Sequence, residues 1–559
     1  MKAKKHIAFF EQAPLDSPPA TLEQAQRNAD GYSSTIQKFW RLYGRRIWDV
    51  QVRGFVVKGD QYTGSTVWMG GDIGKFMREV GTGDFVRNYT HIHGGSSAGR
   101  CGEGRLGGNI AVTFEGTSCG VSTSLHEIGH NNWLHHNSLE DGGEYNGNDS
   151  IMSGLPNIIG LNSVDMKILG FVQDREEIFI EENTQVLLAP IELDIDSLHD
   201  TEHKHAVIRI QSRIFHVSIR KVKGWPYKLT ANGGAMLYVH EHTPDGHSIR
   251  QKPFQRYPGS TMTLNGVDVD IEYLEYSNET ARVNIILDHS APKPTNIPIP
   301  TKLSESTGTL EDKHSGAYFN RDFNGQGLDV HVKNGKALLY WYTFNESDDR
   351  DNSRRFYYAY DTVENMMKET SLHTTEGGTW ADPTKAESVE AGTCQLSFAG
   401  GEAVFKWNTD SRGRGSTRME KVFTASNHEN NGSYFQKARS GEGITLQLFD
   451  TLDGRKACIA YWYSYGPAPR GSIAGGNYRG NTTQRWYYCM GFKDTDGTYE
   501  LKVYEVYDHS WMDLNDDSGA VEVGTASIEL TDKDNIKFSY DIKTPTVEGG
   551  AIRGLTRIF

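Results

Sequence analysis

The 559-residue chain contains only five cysteines, an odd and small number. That excludes a disulfide-built scaffold, so each domain must be held by its own apolar core. No apolar run reaches the length that crosses a membrane, so no membrane span is expected. Lys and Arg form no cluster, and the formal net charge is −14. Such a balance excludes a phosphate-binding surface and hence a nucleic-acid partner. Prolines number 17, and four of them fall within residues 291–300. With 37% hydrophobic and 23% charged residues, the composition is that of a well-solvated globular protein. A chain of this length has room for about three or four domains.

What is present is a short, chemically dense string, His126-Glu-Ile-Gly-His130-Asn-Asn-Trp-Leu-His135-His136. On a helix, His126 and His130 lie one turn apart on one face and can reach one metal ion. Ser122, Thr123 and Ser124 offer N-caps, and Leu125 and Ile128 a buried flank. Glu127 points beside such an ion, where it can hold a water, accept its proton and pass that proton on. Catalytic zinc takes three protein ligands and leaves one position open. His136 would lie about 15 Å along a continued helix from His126. It can ligate only if the helix stops after His130 and the chain turns back. His135 competes for the same role and needs a different turn.

The string resembles the extended metzincin pattern His-Glu-x-x-His-x-x-Gly-x-x-His, with His126, Glu127, His130 and His136 in register. Metzincins place a methionine in a turn beneath the metal, and Tyr145 through Met152 to Gly154 resembles the gametolysin version of that turn. The likeness continues through Leu161–Phe171, similar to the helix that closes the catalytic domain, and more weakly through Ser218–Trp225 and Gly234–His240. It covers about the first half of the chain. Bacterial mucin-cleaving metzincins share the general pattern. The resemblance implies one catalytic Zn2+ held by His126, His130 and His136, Glu127 as the catalytic carboxylate, and Met152 as a hydrophobic floor. Tyr145 would polarise the scissile carbonyl or support the turn. It also implies a substrate-pairing edge strand before the active helix, read here at Gly107–Gly116, with an ordinary interior strand as the rival reading.

The chain departs from the pattern in carrying Trp133 where metzincins have glycine. That glycine is left-handed, so Asn132 or Trp133 is expected to have positive φ. Packing beneath the turn is the favoured role for the ring, and a substrate subsite the rival. The acidic run Glu140, Asp141, Glu144 and Asp149 is read as a solvated loop rather than a Ca2+ site.

Residues 22–43 read as a helix and 47–57 as a strand, fitting an α/β metzincin-type catalytic domain over 1–173. Short alternating strands over 174–290 read as an all-β, sandwich-like domain. The proline-rich stretch 291–310 reads as a semi-rigid linker. An internal repeat follows. Gly316-Ala-Tyr-Phe319 recurs as Gly432-Ser-Tyr-Phe435, Tyr340-Trp-Tyr342 as Tyr461-Trp-Tyr463, and Arg355-Phe-Tyr-Tyr358 as Arg485-Trp-Tyr-Tyr488. Two tandem all-β modules, 311–424 and 428–559, are therefore expected. Their aromatic strands either build module cores or present rings to sugars. Cys101 with Cys119, and Cys458 with Cys489, are candidate disulfides, leaving Cys394 as a small buried residue.

The expected function is a secreted zinc endopeptidase acting on matrix or surface glycoproteins, with the modules as targeting parts that could bind glycans. Met1–Phe10 carries charge without a long apolar core, so the leader expected of a secreted protein is not seen in this chain. One rival is an O-glycan-dependent mucin protease. A rival of another class is a non-catalytic glycan-binding adhesin with a structural zinc. The sequence does not fix the oligomeric state.

Overall fold

The computed structural model describes residues 3–13, 18–44, 48–58, 87–93, 101–113, 120–139, 150–153, 160–221, 235–251, 258–264, 266–277, 279–305, 308–320, 326–344, 354–377, 386–409, 413–422, 428–436, 442–451, 453–465, 484–506, 520–543 and 548–557. Tyr145, Cys119 and the acidic run at 140–149 lie outside these residues. The chain divides into two compact units, Met1–Pro300 and Thr301–Phe559.

The first unit opens with a five-stranded sheet of β1 (Ala3–Ala13), β2 (Trp48–Lys58), β3 (Arg87–His93), β4 (Gly102–Gly104) and β5 (Ile110–Thr113), in the order β2-β1-β3-β5-β4. The pairs β1–β2, β1–β3 and β3–β5 are parallel, while β4 runs antiparallel to β5. Helix α1 (Pro19–Gly44) buries Ala25, Ala29, Ile36, Phe39, Trp40 and Tyr43. That helical spacing presents one apolar stripe to the sheet. The expected helix and strand are both present. The expected edge strand is not: β5, the strand before the helix that carries His126, is interior, and the shorter β4 forms the edge among the described residues. A strand flanked by glycines can lie at either place, and sequence does not choose.

Two further sheets form a sandwich. One contains β6 (Asn137–Leu139), β7 (Glu177–Ile180), β10 (His205–Ile210), β11 (Arg213–Lys221), β12 (Ala235–His242) and β13 (Ser248–Arg250), in the order β6-β13-β12-β11-β10-β7. The other contains β8 (Thr184–Leu188), β9 (Glu202–His203), β14 (Ser260–Thr263), β15 (Asp270–Ser277) and β16 (Thr280–Ile286), in the order β14-β15-β16-β8-β9. Their facing side chains, including Leu188, Ile208, Phe215, Val217, Val239 and Ile285, make one core. Strand β6 belongs by sequence to the first domain but pairs with β13 of the second. The two regions are thus one structural unit rather than two beads. Asn296 accepts a hydrogen bond from Gln185 and Ile297 N–H donates to it, so the start of the proline-rich stretch is fastened to this sandwich.

The second unit contains two closed eight-stranded barrels, Gly316–Lys421 and Gly432–Arg557. The repeat is therefore a repeat of barrels. Closure removes the open sheet edges that two isolated modules would expose. Within the aromatic strands the period-2 alternation sends rings to opposite sides. Trp341, Tyr357 and Trp407 fill the first barrel, and Trp462, Tyr487 and Tyr540 the second. The alternate rings Tyr340, Tyr342, Phe344, Phe356, Tyr463 and Trp486 are buried together in one cluster where the barrels meet. Tyr340 Oη lies 3.1 Å from Ser433 Oγ, and Gln447 donates to Asp329 across the same seam at 2.9 Å. Most motif rings thus build cores and the seam between barrels, while Tyr358, Tyr461 and Tyr488 pack against that seam and remain partly exposed.

Cys458 and Cys489 are free and buried, so the disulfide expected between them is absent. The register explains it: Cys458 pairs with Gly491, and Cys489 with Ala460, so the sulfurs are diagonal rather than opposite. Cys394 is free and fully buried, in keeping with its reading as a small core residue.

Candidate metal centre

Helix α2 (Val121–Asn131) carries the motif. It begins at Gly120 without a side-chain cap, so Ser122, Thr123 and Ser124 do not serve as expected. Ser124 Oγ instead bonds Thr113 Oγ1 at 2.9 Å, tying the helix to β5. The end of the helix decides the site. Trp133 N–H donates to His130 O at 3.0 Å and Leu134 N–H to Gly129 O at 3.1 Å. This is a Schellman stop with Trp133 as its left-handed residue, at φ 71, while Asn132 is at φ −102. The expected positive φ therefore falls on Trp133. A non-glycine residue there costs about 1–2 kcal/mol. The ring does not pack beneath the turn as favoured: it is 58% exposed, with one part against Gly107.

The reversal returns His136 to the helix. His130 Nε2 and His136 Nε2 lie 2.9 Å apart, and the ligating atoms of His126, His130 and His136 all fall within 4.8 Å of one another. His136 is held from beyond by β6, whose Asn137 N–H donates to Met152 O at 2.9 Å. His135, the competing imidazole, lies against His247 instead, with ring centroids 4.3 Å apart. The trio could hold a metal ion. Its fit rests on the opposite ring nitrogens. His126 Nδ1 donates to Ile151 O at 2.7 Å, and His130 Nδ1 to Leu134 O at 2.7 Å. Each bond fixes the tautomer in which Nε2 carries the lone pair, the form that ligates a cation. Burial, then the charge of His130, pushes His126 down to about 3. Burial chiefly pushes His130 down to about 4. Both imidazoles are therefore neutral near pH 7, the state that ligates.

Met152 is fully buried and packs against Gly129 under α2. Its turn is tied to helix α3 (Ser163–Ile168) through Asp165. Asp165 accepts from Ser150 Oγ and from Asn162 N–H, and Ser150 Oγ accepts from Met152 N–H at 3.1 Å. A single carboxylate at a helix N-terminus thus steadies the turn whose Ile151 carbonyl orients His126.

Glu127 is buried, and its carboxylate faces the edge strand. A β-carbon at Gly102 would sit 2.5 Å from Glu127 Oε1, and one at Gly104 would sit 2.5 Å from Glu127 O. Only glycine at both positions lets the edge strand approach the carboxylate so closely. Burial, then Glu103, pushes the Glu127 carboxyl up to about 8. Cys101, just before this strand, is disulfide-bonded. Sequence reasoning missed Gly102, Glu103, Gly104 and Asp165. The last was signalled by the Asn162-Ser-Val-Asp165 capping box.

No family model matches the chain, and no curated protein does. Among solved structures the chain is similar to a chaperone–substrate complex at 13% identity and a TM-score of 0.21, covering 29% of this chain and 33% of that one. It is also similar to the GH43 BlXynB protein from Bacillus licheniformis at 10% identity and a TM-score of 0.10, covering 65% and 79%. A glycosyl hydrolase from Bacteroides ovatus gives 10% identity and a TM-score of 0.10, covering 64% and 83%. Scores this low carry neither fold nor function across.

Proposed function

We propose that the chain is a secreted zinc-dependent endopeptidase of the metzincin type, acting on extracellular protein or glycoprotein. The observation that carries this reading is a buried carboxylate, Glu127, one residue from the first of three convergent imidazoles. A purely structural metal site has no use for such a carboxylate. Three imidazole donors suit zinc and leave a coordination position open. When bound, zinc supplies a Lewis acid that polarises the scissile carbonyl.

The chain's own residues do the rest. Burial favours the protonated Glu127 carboxyl, and the charge of a cation held by the three imidazoles would favour the anion. As that anion, Glu127 would take a proton from the attacking water as the new C–O bond forms, then deliver it to the leaving nitrogen as the C–N bond breaks. The outer edge of β4, which pairs only with β5 among the described residues, offers backbone donors and acceptors to an extended peptide. Its glycines keep side chains out of the space beside Glu127. The barrels are read as docking modules; most rings of their repeated motifs are buried, which leaves the partly exposed Tyr358, Tyr461 and Tyr488 as the motif rings a sugar could reach.

The test is Glu127→Gln in the full chain. We expect one zinc per chain by elemental analysis in both proteins. Cleavage of a mixed matrix and mucin panel should fall by about 10²–10⁴ in the variant. Undiminished cleavage, or wild-type protein without stoichiometric zinc, would overturn the reading.

A further inference from the structure

Trp133 has the largest fractional exposure of any large apolar side chain among the described residues, at 58%. It also holds a left-handed backbone, φ 71, that glycine would adopt without strain. Neither the helix stop nor the return of His136 needs the ring, because both are made by backbone hydrogen bonds and the φ value. A strained residue whose ring lies in solvent beside a candidate active site points to a role outside stability.

The ring's position is fixed. It lies over Gly107, whose own N–H donates to His130 O at 2.9 Å. Asn131 Nδ2 donates to Arg105 O at 3.1 Å, fastening the same turn to the end of α2. Between these two anchors Leu106 is 37% exposed. Strand β4 and helix α2 run side by side, with Gly102 and Gly104 against Glu127 and Gly107 against Trp133. Helix α2 ends at Asn131 and the chain reverses at Trp133, so the ring stands at the far end of this edge segment from Glu127. A peptide extended along β4 past Glu127 would therefore run toward the ring.

We propose that Trp133, with Leu106 beside it, forms an apolar subsite that selects a large apolar side chain in the peptide substrate at one position to one side of the scissile bond. This rests on the endopeptidase reading. A flat ring next to an aliphatic side chain makes a dry surface that rewards apolar burial. Trp133 is thus a specificity-determining residue, set where a glycine would serve the turn equally well.

The test compares the full-length wild type with Trp133→Gly and Trp133→Phe, using cleavage-site profiling of a peptide pool. Two peptides differing only by Phe or Ser at the selected position give KM and kcat. In the Glu127→Gln background, fluorescence anisotropy gives binding of the same pair without turnover. The wild type should favour the Phe peptide by about tenfold or more, mainly through KM. Trp133→Gly should lose that preference in both cleavage and binding while keeping its zinc and its melting temperature, and Trp133→Phe should retain part of it. An unchanged profile in Trp133→Gly overturns the inference alone. So does selection of an O-glycosylated threonine in place of an apolar residue. Wild-type protein that holds zinc but cleaves nothing overturns the endopeptidase reading, and the inference with it.

Discussion

Mild acid should loosen the sandwich of the first unit through a buried layer of histidines. His205, His216 and His240 project from β10, β11 and β12 on the face opposite the apolar core, and all three are buried. Helix α3 packs on this face, with Ser163 Oγ 3.5 Å from His240 Nδ1. Among the described residues, neither ring nitrogen of His205 has a hydrogen-bond partner, nor has His216 Nδ1. The neighbours that act on them are cationic or titrate to cations: Lys167, Lys204, Arg209, His240 and His242. Glu177 is near but already paired with Lys167 at 2.6 Å. Burial, then His242, pushes His216 down to about 3, and burial drives His205 the same way.

The sign follows from these depressed values. Between about pH 3 and the ordinary histidine value near 6.5, the unfolded chain binds a proton that native His216 refuses. Stability is complete above pH 6.5 and falls as the pH drops through that window. By pH 5 the loss from His216 alone is about 2 kcal/mol, and His205 adds to it in the same direction. Hydrogen exchange of the full chain at several pH values, corrected for intrinsic rates, reads this in peptides from β10, β11 and β12. His216→Gln should flatten the pH dependence of their protection. Equal protection at pH 5 and pH 7, or the same slope in the variant, would refute the reasoning.

Two further outcomes follow from close packing. Gly104→Ala places a methyl 2.5 Å from the Glu127 backbone O and 2.9 Å from Oε2, so strand and helix must move apart and the carboxylate shift with them. Cleavage should fall by about 10²-fold while circular dichroism stays native, and wild-type turnover would contradict the tight β4 contact. Cys394, Cys458 and Cys489 are buried, and burial pushes the Cys489 thiol up to about 12. A thiol reagent should therefore label none of the three in the native chain and all three in denaturant, whereas rapid native labelling of Cys458 would break the barrel assignment.

Much of the site was legible because its chemistry is local. His126 and His130 sit on one helix face by spacing alone, and the return of His136 required only that the helix stop where Asn132 and Trp133 allow. The barrels were legible as a repeat, since duplicated strands at matching intervals fold into duplicated units. Other features depend on which surface happens to face which. Whether Trp133 packs or projects depends on what lies over Gly107. Whether Cys458 meets Cys489 depends on a register two residues off alignment.

The sequence by itself determined the identity of the imidazoles, the carboxylate between them, and the number of C-terminal β-modules. These are set by periodicity within a few turns or by repetition of a segment. Tertiary structure alone decided that β4, not β5, forms the edge, that β6, which follows His136, pairs into the sandwich, and that the outer rings of the barrels pack on each other. Each of those outcomes turns on pairing between segments far apart in the chain, where burial and register across the fold choose among partners that local sequence leaves equivalent.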